Sequence, residues 1–290
     1  MHNLYSSPKN MQNWPIMNMH KRQPSPWTFE FDKMDVDVAG IQIQTRELAQ
    51  ELSVHRHRQG QLAMVLRGAM SCTVPGALWI TPANSGLWVP GGMPHSVSLT
   101  ANGNVCFLFV DVKSAAPLPD TCRSLAIGPL LRELIIHLAQ IPKARNHNAE
   151  TARLRAVLLD QLKSAATQSI YLPVSEDPRL RRLTEWMMKN PADRSTAAQW
   201  ASRLAMSQRS LSRLLQAELG MSFSPWRQRL HVVIAMKALA AGRPVQNVAA
   251  DLGYQSAGAF IIMFKKATGI LPGRYLMHNK AERRVGRSPA

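Results

Sequence analysis

The 290-residue chain is poor in acidic side chains: 18 Asp and Glu stand against 35 Lys and Arg, a formal charge of +17. It has little cysteine. Cys72, Cys106 and Cys122 are scattered, odd in number and form no CxxC pair, which argues against a disulfide framework and for a reducing compartment, here expected to be the cytoplasm. No run of about 18 apolar residues is present, so no membrane-spanning helix is expected. The first residues lack the apolar stretch of a signal peptide. There is also no phosphate-cradling glycine loop, no nucleophile–base arrangement for hydrolysis and no carboxylate pair at catalytic spacing. The sequence therefore does not read as an enzyme.

The basic excess is unevenly placed. Residues 176–290 hold 19 basic and 7 acidic side chains, whereas the first 175 hold 16 and 11. Such asymmetry directs the C-terminal part toward a polyanion. Charge alone fits a membrane surface as well as nucleic acid, and the helix pattern chooses between them.

That pattern is a pair of helix-turn-helix units, at 196–217 and 244–267. Ser195 or Thr196 is placed to cap a short helix through Trp200 and Leu204, and Ser207 to cap a second, Gln208 to Leu219. Leu211, Leu214, Leu215 and Leu219 form an apolar stripe on this second helix. Gln208, Arg209, Ser212 and Arg213 occupy the other face near its N-terminal end, the part that a reading helix inserts into a major groove. Arg209 and Arg213 are one turn apart and suited to guanine. Gly220 stops the helix, and Ser224 followed by Pro225 is expected to open a connecting helix to about Ala241. Its length of roughly 25 Å can hold two reading helices about one groove repeat apart. In the second unit Gly253 marks the turn and Ser256 caps the last helix. The groove face there reads Ala257, Gly258, Ile261 and Ile262, almost without hydrogen-bonding groups, with Lys265 and Lys266 nearby. The first unit is therefore expected to read bases, and the second to anchor on phosphates. Arg181, Arg182, Arg194 and Arg203 are assigned to solvent or phosphate, and His137 and His231 to packing or the surface.

Residues from about 28 to 112 alternate in polarity, with turn signals at Arg67-Gly68, Pro75-Gly76, Asn84-Ser85-Gly86, Pro90-Gly91-Gly92 and Asn102-Gly103. Many short strands at such spacing indicate an antiparallel barrel or sandwich able to enclose a small molecule. His55 and His57 share a strand face, and His95 follows Pro90-Gly91-Gly92-Met93-Pro94. Three imidazoles suit a divalent ion, the expected cofactor if there is one; polar wall residues or ligand donors are the alternative. His55, His57, Gln61, Trp79, Trp88 and His95 are the candidate effector contacts, with core packing the competing role for both tryptophans. Beyond the strands, Leu130, Leu131, Leu134, Ile135 and Leu138, then Leu154, Val157, Leu158, Leu162 and Ala165, recur at helical spacing. They predict a helical hairpin that packs on the barrel or against a second copy.

The expected organisation is a mobile arm over 1–26, an effector-binding barrel over 27–115, a hairpin over 116–170, and a linker over 171–178. A DNA-binding domain over 179–279 and a basic tail over 280–290 follow. The fold class is α+β, a β-barrel plus helical hairpin followed by an all-α double helix-turn-helix domain.

Two resemblances add to this reading. The spacing of His55, His57 and Gly68, and of Pro90, Gly92 and His95, resembles the two motifs of the cupin family. Gln61 replaces the usual glutamate, and Leu99 stands where an asparagine often follows. Residues 179–277 resemble the DNA-binding domain of the AraC/XylS family of bacterial transcription regulators. Ala201, Ser207, Leu211, Arg213, Gly220, Arg229, Leu230, Ala235 and Leu239 carry the match, with Val248, Ala249, Gly253, Tyr254, Phe260, Phe264, Lys265, Lys266, Gly269, Pro272 and Tyr275. Within that family the last helix usually carries Ser and Arg where this chain has Gly258 and Ile262. The resemblance implies promoter or operator DNA as partner, a small-molecule effector in the barrel and pairing of two copies, with RNA polymerase as a further partner. It leaves activation versus repression open. A cupin enzyme or a metal sensor using His55, His57 and His95 is the competing reading.

Overall fold

A computed structural model describes residues 35–45, 50–101, 103–142, 146–168 and 171–273. The arm expected over 1–26 and the tail over 280–290 lie outside the described residues, as does Tyr275.

The β-rich half begins with β1 (Val38–Gln44), β2 (Gln50–His55), β3 (Gly60–Arg67), β4 (Ala69–Val74), β5 (Ala77–Pro82), β6 (Ser85–Val89), β7 (His95–Leu99) and β8 (Asn104–Val110). A short α1 (Val112–Ala115), β9 (Arg123–Ala126), α2 (Pro129–Gln140), α3 (Ala149–Ser164), β10 (Thr167–Gln168) and β11 (Tyr171–Pro173) follow. Two antiparallel sheets result, ordered β1-β8-β3-β6-β9-β10 and β11-β5-β4-β7-β2. They face each other without closing into one hydrogen-bonded barrel, a refinement of the expected architecture.

Alternation explains the layering. On β3, Ala63 and Val65 join Val97, Val105, Phe107 and Phe109 between the sheets. Leu62 and Met64 point the other way and meet Leu131, Leu134, Ile135 and Leu138 of α2. α2 and α3 thus cover one sheet, as one of the two expectations had it. Leu130 and Val157, expected on the apolar stripe, are 54% and 43% exposed. β9 and β10 lie within the expected hairpin segment, and the first three residues of the expected linker form β11, which pairs with β5.

The helical half comprises α4 (Pro178–Lys189), α5 (Ala197–Arg203), α6 (Gln208–Leu219), α7 (Phe223–Ala240), α8 (Val245–Asp251) and α9 (Ala257–Thr268). α7 begins two residues before the expected Pro225, with Ser222 rather than Ser224 at its N-cap. Its buried residues, Phe223, Trp226, Leu230, His231, Val232, Val233, Ala235, Met236, Leu239 and Ala240, surround the axis instead of forming one stripe. A helix apolar all round is a buried helix. One side of α7 packs against α6, α8 and α9, and the other against β4, β5 and β11. Ala69, Ile80 and Leu172 of the sheet share one apolar cluster with Trp226 and Val233. Trp226 Nε1 donates to the Pro173 carbonyl at 3.0 Å. Tyr171 stacks on Trp79 with 4.8 Å between ring centroids, and the Arg229 guanidinium lies 5.5 Å over Tyr171. The connecting helix is therefore the joint between the two halves as well as a spacer.

His231, expected to be a packing or surface residue, is buried in α7, and its Nδ1 lies 3.3 Å from the Tyr254 hydroxyl. Burial lowers its pKa to about 4, the nearby Arg227 charge adds to this, and the Pro191 carbonyl opposes it. Between about pH 6.5 and pH 4 the unfolded chain binds a proton that the folded chain refuses. The neutral ring's contribution is thus complete above pH 6.5 and is lost as pH falls toward 4. Urea unfolding should show stability falling by roughly 2–3 kcal/mol over that window beyond any fall seen in His231→Gln. Identical pH slopes in the two proteins would refute the assignment.

Candidate DNA-reading helices and histidine cluster

The two helix-turn-helix units repeat at backbone level. α5 ends with Leu204 as C-cap, and Ala205 and Met206 donate to the carbonyls of Ser202 (3.0 Å) and Ala201 (2.9 Å). α8 ends with Leu252 as C-cap, and Gly253 and Tyr254 donate to Ala250 (2.8 Å) and Ala249 (2.9 Å). Ser207 and Ser256 then cap reading helices of 12 residues each, accepting from the backbone N–H groups of Ser210 and Ala259. Both turns need a left-handed residue: Ala205 has φ +53° and Gly253 φ +73°. Alanine is strained there and glycine is not. Ala205→Gly should raise stability by about 0.5–1 kcal/mol in chemical denaturation. Gly253→Ala should lower it by about 1–2 kcal/mol, because its Cβ would also stand 2.9 Å from the Ala192 carbonyl oxygen. A stabilised Gly253→Ala would contradict the turn geometry.

On α6, Leu211, Leu215 and Leu219 are buried while Gln208, Arg209, Ser212 and Arg213 are exposed. Among the described residues, neither Arg209 nor Arg213 has an intramolecular ion pair or side-chain hydrogen bond. Several other basic residues are held. Arg179 pairs with Asp177, Arg243 with Asp251, and Arg203 with Asp193 at 2.7 Å while lying over Trp200. Arg227 donates to the Ser195 carbonyl, and Arg182 lies over Trp186. Pairing and stacking thus separate cations built into the fold from cations left for a partner. Sequence reasoning had only their helix positions to go on.

α9 presents a different surface. Ile262 is 71% exposed, and Gly258, Lys265 and Lys266 are also exposed. Ala257 and Ile261, grouped with the groove face in the sequence reading, lean against the apolar cluster around Phe260 and Phe264. The outward face is therefore Gly258 and Ile262, followed by the two lysines.

In the β-rich half the structure assembles the three histidines. His55 and His95 are register partners across β2 and β7, and His57 follows just past the end of β2. The turn before β7 closes on that segment: Gly92 donates to the His57 carbonyl at 2.7 Å. A Cβ on Gly91 would stand 2.1 Å from the Arg58 carbonyl oxygen, so only glycine permits this approach. One ligand atom from each histidine lies within 4.8 Å of the others. His57 faces Phe109, with 5.3 Å between ring centroids, rather than solvent.

The Nδ1 atoms of His55, His57 and His95 lie 2.9, 2.8 and 2.9 Å from the carbonyl oxygens of Ser53, Gln59 and Met93. A carbonyl only accepts, so each Nδ1 carries a proton. Burial lowers the His55 pKa and takes that of His95 to about 4, so both rings are neutral near pH 7. His57 Nε2 is hydrogen-bonded to the Gln61 side-chain amide at 3.1 Å. The His95 Nε2 and Gln61 Nε2 atoms are buried without a hydrogen-bond partner. Converging imidazoles whose far sides are fixed by backbone carbonyls are the second-shell arrangement of a metal site. His55, His57 and His95 would therefore suit a divalent ion.

The tryptophans separate. Trp79 lies in the apolar layer between the sheets. Trp88 belongs to the layer under α2 and α3, and its Nε1 donates to the Pro119 carbonyl at 2.7 Å. Trp88 therefore does not line the space between the sheets, because its β6 position alternates to the opposite face. Cys72, Cys106 and Cys122 are all buried and free. Among the described residues, no helix is long and apolar enough to cross a membrane.

Comparison with known proteins agrees with the helical repeat. A helix-turn-helix domain family model matches residues 200–278. The arabinose operon regulatory protein of Escherichia coli (strain K12) is 29% identical over 143 residues, 47% of this chain and 48% of that protein. A putative AraC-like transcription regulator of Streptomyces antibioticus is 24% identical over 194 residues, 66% of this chain and 55% of that one. The HTH-type transcriptional regulator NimR of Escherichia coli (strain K12) is 47% identical over 223 residues, 77% of this chain and 81% of that protein. This chain belongs to the AraC/XylS family of transcription regulators. As a member of that family it is a DNA-binding regulator rather than an enzyme, and its helical half carries the helix-turn-helix domain.

Proposed function

We propose that this regulator binds promoter DNA unequally, with α6 reading bases and α9 holding the backbone, and that the β-rich half makes the grip conditional. The guanidinium groups of Arg209 and Arg213, unpartnered among the described residues and set against the exposed Ile262 on α9, carry the reading. Guanidinium groups recognise guanine in the major groove, whereas an apolar face offers only contact with thymine methyls. α7 spans about 27 Å with its 18 residues, which suits two helices about one groove repeat apart. Selecting binding sites from random DNA tests this. The expected outcome is one strongly constrained block of a few base pairs and, about one turn away, a weakly constrained A/T-tolerant one. Two equally constrained blocks would refute it.

The division into an effector domain over 27–115, a hairpin over 116–170 and a DNA-binding domain over 179–279 is part of the same proposal. α7 carries the coupling, because whatever shifts β5 or β11 shifts Tyr171, Arg229 and Trp226. Exposed Leu130 and Val157 on α2 and α3 support pairing of two copies through this hairpin. A second reading, a metal-responsive regulator, is favoured by the three imidazoles held by backbone carbonyls and the orphaned His95 Nε2 atom.

A further inference from the structure

We propose that the histidine cluster, once it holds a divalent ion, is a receptor for small anions such as carboxylates, and that Gln61 is what makes it one. This rests on the metal reading above. The potential ligands gathered there are three imidazoles and the Gln61 amide. Among the described residues, no Asp or Glu joins the group. A carboxylate at position 61 would cancel half of the ion's charge, whereas glutamine leaves both units uncancelled.

The surroundings do not cancel that charge either. Phe109, part of the apolar layer between the sheets, packs against the His57 ring, and such surroundings screen poorly. Arg56 and Arg58 flank His57 on the chain and are exposed, and neither is a negative group. His55 is only half-buried, so the cluster opens on its side. Three nitrogens and one amide oxygen also leave room for another ligand on ions that accept five or six donors. An anionic oxygen or nitrogen donor entering past His55 would bind the ion directly and lower the net charge of the site. No bond to carbon is made or broken and no electron moves.

Cobalt(II) is the probe, because its visible absorption reports its ligands. Full-length protein is loaded with Co(II) and titrated with sodium azide and, separately, sodium acetate at constant ionic strength. A saturable change in the spectrum with each anion is expected. Gln61→Glu should keep Co(II) but weaken azide binding by about tenfold or more, the effect of one unit charge a few ångströms away. Gln61→Ala, which keeps the site neutral, should retain the azide response, and this separates charge from shape if the glutamate variant folds poorly. Co(II) bound with a spectrum that His57→Ala abolishes, but unmoved by either anion, overturns the inference and leaves the metal reading standing. So does equal azide affinity in wild type and Gln61→Glu. Co(II) binding that His57→Ala leaves unaltered overturns both.

Discussion

Arg213→Ala is expected to weaken binding to a selected site by roughly five- to a hundredfold and to relax preference at a single base pair, the loss of one bidentate contact worth about 1–3 kcal/mol. Arg213 is exposed on the N-terminal half of α6, and no neighbour competes for its guanidinium among the described residues. The full cost of removing it therefore falls on the DNA complex. Combining it with Arg209→Ala should bring binding near the non-specific level. The contrast is Ile262→Ala on α9. Ile262 is 71% exposed, so its loss removes little folded-state packing and at most an apolar contact with DNA, within about threefold in affinity. Lys265→Ala should lower affinity evenly across sequences and flatten the salt dependence, as loss of a phosphate contact does. Anisotropy titrations at fixed salt against single-base variants measure all four. If Ile262→Ala alone abolishes discrimination, the division of labour is wrong.

The largest stability effect is expected at the joint. Trp226 is fully buried in the cluster that α7 shares with β4, β5 and β11, and its indole is the donor to the Pro173 carbonyl. Trp226→Ala should cost about 3–5 kcal/mol, from lost apolar contact and the cavity left behind. Trp226→Phe should restore much of that area but not the hydrogen bond, leaving a deficit of about 1–2 kcal/mol. The joint is shared, so the alanine variant should also uncouple the halves. Far-ultraviolet circular dichroism and tryptophan fluorescence should then report separate urea transitions. A loss under about 1 kcal/mol, with coincident transitions, would mean that α7 stabilises the helical half alone.

What was legible beforehand follows from how local each signal is. Ser207, Gly220 and Ser256 act through neighbours three or four residues away, and the helices they bound lie where the sequence puts them. The histidine cluster was readable because both of its motifs carry their spacing in short segments. The role of α7 was not. Its sequence shows an apolar helix, but its second packing partner is a sheet whose strands β4 and β5 lie more than a hundred residues upstream. β11 was hidden for a related reason: Tyr171-Leu172-Pro173 is too short to show alternation, and its proline reads as a break. Trp88 takes the core-packing role that competed with effector contact; alternation within β6 fixes two faces without saying which one lies between the sheets. Ala257 and Ile261 sit at the edge of a helix face, where a few degrees of rotation decide between groove and core.

One titration decides whether α6 and α9 contribute unequally to DNA recognition. The selected operator is prepared in three forms: intact, with the block under α6 scrambled, and with the block under α9 scrambled. Affinity for each is measured at one salt concentration. Scrambling the α6 block should cost about a hundredfold or more, because several base contacts are lost together, and scrambling the α9 block less than about fivefold. Equal losses from the two, or a larger loss from the α9 block, would contradict the account.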